Sequence, residues 1–215
     1  MEVAKKLCIF GIGGFGREVL NCFLESREDG KGKSENEVVF MVSDAHFVEK
    51  EIMGVAVIPQ SGFVPELYNV VIAVSDPIAR KEIAESLPKS TTYGKVIHSS
   101  AHISKWVNIG EGSIVTAACI VTVNVKIGKH AQLNLNTSVG HDSIIGDYFT
   151  TAPGARINGH SSIGHCVYVG SNAALREVIN ACNEAIIGMG AVVVKDIIEK
   201  GVYVGNPAVK MVRQG

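Results

Sequence analysis

Ile127-Gly128-Lys129-His130-Ala131-Gln132-Leu133-Asn134-Leu135-Asn136-Thr137-Ser138-Val139-Gly140-His141-Asp142-Ser143-Ile144-Ile145-Gly146-Asp147 places an aliphatic residue at every sixth position. The same step runs outward in both directions, through Ile103, Ile109, Val115 and Val121 before it and Thr151, Ile157, Ile163, Val169, Leu175, Ala181, Ile187 and Val193 after it. Fourteen of these sixteen residues are Ile, Val or Leu. The residue two before is usually small, as at Ala101, Ser113, Cys119, Ala131, Ser143, Ala155, Ser161, Ala173, Ala185 and Ala191. The residue after is often Gly. Neither a helix (period 3.6) nor a lone strand (period 2) repeats every six residues. A parallel β-helix does, each hexad supplying one flat face and a corner. The aliphatic side chain points to the coil axis, the small residue sits inside the turn, and Gly is expected to ease the corner backbone.

A second period lies on the first. Ile-Gly pairs end at Gly110, Gly128, Gly146 and Gly164, eighteen residues apart. Three faces per coil make a triangular prism of about five coils. Leu135, Val125 and Val167 are expected to face outward as apolar patches.

The first ninety-five residues follow other rules. Lys6-Leu7-Cys8-Ile9-Phe10 reads as a buried strand running into Gly11-Ile12-Gly13-Gly14-Phe15-Gly16, and Arg17 to Ser26 has helical periodicity. Strand, G-x-G-x-x-G, helix is a phosphate-binding turn: glycines allow close backbone approach and the helix N-terminus offers free N–H groups. Residues 28–36 are polar and predict a mobile loop. A strand over Val38 to Val42 ends at Ser43-Asp44, where an acid can meet a ribose hydroxyl. A third strand over Asn69 to Val74 leads to Ser75-Asp76 and a helix from Pro77 to Ser86. This is half of a doubly wound fold, with room for one nucleotide and not for NAD. The expected organisation is a Rossmann-like nucleotide-sugar domain over 1–95 and a β-helix over 96–215.

Twenty basic and twenty-one acidic residues give a net charge of −1, which argues against a nucleic-acid partner. No segment approaches the ~20 apolar residues of a membrane span, so a cytoplasmic protein is expected. Five cysteines without a CxxC pair read as reduced thiols.

Seven histidines need sorting. His141 follows the corner glycine Gly140 and so points outward, with Asp142 beside it. One coil away stand Val123 and Gly159 for His141, and Asn124 and His160 for Asp142. A corner histidine next to an acid, with open space expected above it at Gly159, suits a general base; a solvated corner is the plain alternative. His165 reads as structural or solvent-facing. The other histidines are expected on different faces, so no metal site is predicted.

Asn136 to Asp147 resembles the active-site stretch of bacterial nucleotide-sugar acetyltransferases of the left-handed β-helix, hexapeptide-repeat superfamily. That family includes UDP-4-amino-sugar N-acetyltransferases and sialic acid O-acetyltransferases. The resemblance extends through Gly11 to Gly16, Val42-Ser43-Asp44, Ile72 to Asp76, Val96-Ile97-His98 and Gly201 to Ala208. It implies a left-handed coil, a homotrimer, and acetyl-CoA as co-substrate lying between neighbouring coils. His141 matches the catalytic base and Asp142 its orienting acid. Gly13, Gly14 and Phe15, with Gly11 opening the loop, match the nucleotide-diphosphate site. Ser43 and Asp44 match nucleoside contacts, and Ser75 a further substrate contact. Thr150, Ser171 and Met189, with Ala152, Gly170 and Gly188, match acetyl-CoA positions. The chain departs from the family pattern at Phe15, Ser43 and Thr150, where His, an acid and His are usual.

The function these residues imply is acetyl-CoA-dependent N-acetylation of a nucleotide-linked amino sugar, of 4-amino-dideoxy type, for a surface glycan. Sialic acid O-acetylation is the nearest alternative, and a non-catalytic β-helix scaffold the other. A serine acetyltransferase would carry a helical N-terminal domain. A carbonic anhydrase would need zinc histidines at a spacing this chain lacks.

Overall fold

The structure, a computed structural model, describes residues 5–28, 31–32 and 34–212. The N-terminal part is a six-stranded sheet in the order Glu51–Ile52, Val55–Pro59, Val38–Val42, Lys6–Phe10, Tyr68–Ile72, Thr92–Tyr93. Its ladders are parallel except at Glu51–Ile52. The central strand β1 (Lys6–Phe10) and Val38–Val42 are nearly continuous apolar runs because both faces of the sheet are covered. Helix α1 (Gly14–Glu25) lies on one face and α2 (Pro77–Ser86) on the other.

Two local expectations change. Helix α1 begins at Gly14, three residues earlier than the periodicity suggested. The strand Val55–Pro59 was not foreseen. Within the polar stretch 28–36, Arg27–Glu28 pairs antiparallel with Lys31–Gly32, and Glu35–Glu37 forms one 3-10 turn. Residues 29, 30 and 33 lie outside the described residues.

From Val96–Ile97 onward the chain winds into a left-handed β-helix. Its first face runs through 96–97, 114–115, 132–133, 150–151 and 168–169, its second through 102–103 to 192–193, and its third through 108–109 to 180–181. The ladders of these strands join residues eighteen apart, as in Val121↔Val139 and Ile127↔Ile145, and the step shortens only in the last coil, where Ala185 pairs with Gly201. The hexad positions point to the axis and form one continuous core from Ile109 to Val193.

The glycines after the aliphatic positions serve a purpose other than the one expected. Gly128 and Gly146 lack positive φ. A Cβ on Gly128 would lie 2.6 Å from the backbone nitrogen of Asp147, and one on Gly146 2.6 Å from the carbonyl carbon of Gly164. They are glycine because successive coils close onto them. The left-handed corner residues are Asn124, His130, Asn136, Asp142, Tyr148 and His160, among others. Val125 and Val167 are fully buried inside corners, correcting their outward assignment. Leu135 does face out, and Ile120, Val123, Ile144 and Val178 are exposed with it.

The sheet domain sits on the first face, whose outward residues Ile114, Gln132 and Thr150 are buried beneath it. Arg80 of α2 fixes the junction. It is fully buried, and its guanidinium donates to His130 O (2.9 Å), Val74 O (2.6 Å), Tyr148 O (2.8 Å) and Thr150 Oγ1 (2.7 Å). Gln132 Nε2 donates to Ile72 O at 2.7 Å.

His130 is part of the same junction, stacked on Tyr148 at 5.0 Å and edge-on to Tyr93 at 4.4 Å. Burial pushes its imidazole down to about 4, helped by Arg80 and Lys129 and opposed by Asp147. The folded protein therefore takes up this proton less readily than the unfolded chain, whose imidazole titrates near about 6.5. Stability falls as pH drops through the window from about 6.5 to about 4, by on the order of 3 kcal/mol, and is full above it. Thermal melts of the protein and of His130→Phe at pH 7 and pH 4.5 check this: the variant should lose distinctly less on acidification.

Candidate active site

The corner between the second and third faces holds the His141–Asp142 pair. Residues 105, 123, 141, 159 and 177 stack in one column along it, and 106, 124, 142, 160 and 178 in the next. Asp142 adopts φ 58°, a left-handed turn that a short polar side chain tolerates. Its N–H donates to Val123 O at 3.1 Å, and the next coil is pinned by His160 N–H to His141 O at 2.8 Å.

Asp142 Oδ2 lies 2.8 Å from His141 Nδ1, and Asn124 Nδ2 donates to Asp142 Oδ1 at 2.6 Å. His160 Nε2 is 3.7 Å from the same carboxylate, and its ring stands edge-on to His141 with centroids 5.0 Å apart. The Asn124 amide, then His141, hold the Asp142 carboxyl below the usual carboxylate range. An Asp142 carboxylate accepting from Nδ1–H favours the tautomer whose Nε2 carries the lone pair, and Nε2 has no hydrogen-bond partner among the described residues. Gly159 is not empty space above the ring, as expected from register. A Cβ there would sit 2.8 Å from His141 Nε2, so its missing side chain is where the imidazole itself lies.

His141, Asp142 and His160 offer ligand atoms within 4.8 Å of one another. Register had set His160 one coil from Asp142, and the structure brings both histidines to that one carboxylate, a grouping the expectation of no metal site had not foreseen. His165, by contrast, caps its corner, accepting from Asp147 N–H through Nδ1 at 3.0 Å.

The glycine loop lies at the carboxyl end of β1. Gly11 has φ 111° and Gly16 packs so closely that a Cβ would strike Gly11 O, while Gly13 and Gly14 face open space. No side chain caps α1, so its first N–H groups are free for an anion. Beside the loop a cavity of about 490 Å³ is lined by Phe10, Ile12, Val42, Ser43, His46 and Gln60. Ser43 Oγ meets His46 Nδ1 at 2.7 Å, and Asp44 is bonded to Ser61. Phe15 is half-buried in the domain core, and Ser75 is exposed with its carbonyl accepting from Thr150 Oγ1 at 3.1 Å.

Of the positions matched to acetyl-CoA, Ala152, Gly170 and Gly188 form one column on the first–second edge, with Ser171 and the 81% exposed Met189 in the next. Thr150 is apart from them. It is 2% exposed and spends its hydroxyl on Arg80 and Ser75, so its side chain is not available at the surface. This edge is not the His141 edge. A second cavity of about 450 Å³, lined by Arg17, Asn21, Glu25, His98, Thr116 and Leu135, lies between it and α1. Sequence reasoning missed this cavity and Arg80.

The thiols take no part in the site. Cys8 and Cys22 are pushed up to about 12 and Cys119 to about 11, all first by burial. None of the five cysteines is paired, and none lies on the His141 corner.

Residues 6–87 match the PglD N-terminal domain family. The chain is 34% identical over 217 residues to the GDP-perosamine N-acetyltransferase of Escherichia coli O157:H7, covering 95% of this chain and 96% of that one. WeeI from Acinetobacter baumannii AYE superposes with a TM-score of 0.86 at 30% identity, over 97% of this chain and 100% of that one. The acetyltransferase domain of PglB from Neisseria gonorrhoeae FA1090, in complex with acetyl coenzyme A, gives 0.84 at 25%, over 96% and 99%. A half-Rossmann domain whose first helix has no side-chain cap, a β-helix with a corner His–Asp pair, and full-length likeness to such enzymes converge: the chain belongs to the bacterial nucleotide-sugar N-acetyltransferases of the hexapeptide-repeat superfamily, which acetylate a nucleotide-linked amino sugar with acetyl-CoA.

Proposed function

We propose that the acceptor is a GDP-linked 4-amino-4,6-dideoxyhexose, GDP-perosamine or a close isomer, and that His141 is the catalytic base. The observation that carries the role is the Asn124–Asp142–His141 chain, which holds one imidazole nitrogen and leaves the other free. The full-length E. coli relative supports the acceptor.

The sugar amine, in its neutral form, attacks the thioester carbonyl. His141 Nε2 takes the amine proton as the N–C bond forms. Backbone N–H groups hold the developing oxyanion, the C–S bond breaks, and the proton held on His141 passes to the departing CoA sulfur. Histidine, amide product and thiol are then all neutral, so the step balances. Protonated buried thiols give no candidate for an acyl-enzyme, which favours direct transfer.

Residues 1–95 hold the nucleotide through Gly11, Gly13 and Gly14, with Ser43, Asp44 and Ser75 around the nucleoside and sugar. The coil holds acetyl-CoA along the edge of Ala152, Gly170, Ser171, Gly188 and Met189. Because that edge and His141 lie on different corners, a working site takes one corner from each of two chains. A homotrimer with three such sites satisfies this, and the exposed Ile120, Val123 and Leu135 are the apolar surface it covers. Among the described residues no helix is long and apolar enough to cross a membrane. The proposed setting is the cytoplasm, before the sugar enters a surface glycan.

The test compares kcat/KM for GDP-, UDP- and dTDP-linked 4-amino-4,6-dideoxyhexoses with acetyl-CoA. GDP-perosamine should exceed the others by at least about tenfold. Equal or better use of a UDP or dTDP sugar contradicts the assignment.

A further inference from the structure

The Asp142 carboxylate has an imidazole on two sides, and one of them lies outside the Asn124–Asp142–His141 chain. His141 Nδ1 is 2.8 Å from Asp142 Oδ2, and His160 Nε2 is 3.7 Å from the same oxygen. The two rings stand at 89° with centroids 5.0 Å apart. In a tetrahedral zinc site each nitrogen or oxygen donor lies ~2.0–2.1 Å from the ion, which sets donors about 3.3 Å from one another and two bound imidazole centres about 5 Å apart. The observed 2.8 and 3.7 Å bracket the first spacing, and the ring separation meets the second.

The corner holds these three donors in place. Asp142 and His160 take left-handed corner positions in successive coils, at φ 58° and 57°. His160 N–H donates to His141 O at 2.8 Å, which ties the two histidine backbones together. Asn124 Nδ2 donates to Asp142 Oδ1 at 2.6 Å, so Oδ2 is left to the imidazoles. A ligating carboxylate oriented from outside in this way is a regular support of metal sites. The histidine side chains are 54% and 58% exposed, so a hydrated ion reaches them from solvent and keeps a fourth position open.

We propose that His141, Asp142 and His160 form an inhibitory site for a divalent ion of the imidazole-preferring, zinc type. Zinc takes His141 through Nδ1, Asp142 through Oδ2 and His160 through Nε2. A neutral imidazole has a single N–H. With its Nδ1 lone pair on the ion, His141 carries that proton on Nε2, which can then donate but not accept. The proton moves from Nδ1 to Nε2 by way of solvent, and none is gained or lost. Zinc thereby removes the base while the side chain stays in place. The binding rests on the three side chains alone; the inhibition rests on His141 being the base proposed above.

Equilibrium dialysis of the tag-free protein against Zn2+ reads the site without substrates. The unaltered protein should bind one ion per chain at about 100 µM free zinc, His160→Ala should raise Kd at least about tenfold, and Asn124→Ala should raise it about tenfold. Cys182→Ser alters the one cysteine that is not buried and should leave Kd unchanged. Rates of acetamide formation at buffered free zinc read the consequence. Saturating zinc should lower kcat about 10²-fold or more, a chelator should restore it, and His160→Ala should keep most of its own zinc-free rate. No ion bound, or a Kd that His160→Ala leaves unchanged, overturns the site. Equal inhibition of His160→Ala places zinc on the substrates or elsewhere and overturns it too. Zinc bound through His160 with kcat kept, in a protein that His141→Ala inactivates, overturns the inhibition alone. If His141→Ala keeps its activity, the base reading fails, and dialysis still decides the site.

Discussion

Replacing His141 with alanine should lower kcat by about 10²- to 10⁴-fold while both substrates still bind. The side chain is exposed at a corner, so its loss leaves the coil core intact. Asp142→Asn should cost less, because an amide can still accept from Nδ1–H through its oxygen but no longer stabilises the charged imidazolium. Asn124 and His141 keep the Asp142 carboxyl below the usual range, so it remains an ionised partner of His141 at neutral pH. Steady-state rates at pH 8 decide the matter: a variant retaining more than about a tenth of the original kcat has lost no general base.

Arg80→Met should lower the melting temperature by about 6–12 °C. Methionine fills much of the volume but donates nothing to the carbonyls of His130, Val74 and Tyr148 or to Thr150 Oγ1. Leaving several buried acceptors unmet costs about 3 kcal/mol, which for a chain of this size is a shift of that order. Burial lowers the guanidinium's affinity for its proton, yet no carboxylate among the described residues pairs with it. Fixed carbonyl dipoles and the Thr150 hydroxyl supply its direct hydrogen bonds, with Asp76 acting from farther off. Arg80→Lys should recover little, because one ammonium cannot replace a fork reaching both domains. Thermal denaturation checks this, and a shift under about 2 °C for Arg80→Met would show that the junction rests on apolar contact instead.

The coil was legible because its period is a direct image of its geometry. A side chain that must point to the axis every sixth residue leaves a mark that runs from Ile103 to Val193, broken only at Thr151 and Ala181. The eighteen-residue register also sets Asn124 and His160 next to Asp142. What period cannot encode is the reason for each residue. Glycines after the aliphatic positions looked like flexible corners and are instead close-contact points between coils. Val125 and Val167 looked outward and are buried, because the corner turns them in. Thr150 fell at a position matched to acetyl-CoA, but the sheet domain covers that face and Arg80 takes its hydroxyl. Contacts between the two parts of the chain, Arg80 above all, join residues about fifty to seventy apart and leave no local pattern.

The most direct test of the whole account is product analysis by mass spectrometry after incubation of the protein with acetyl-CoA and GDP-perosamine. The account predicts one acetamide formed on the sugar nitrogen for each CoA released, with release abolished when the acceptor is omitted. Release of CoA without acetylated sugar, or acetyl found as an ester on a sugar hydroxyl, would contradict it.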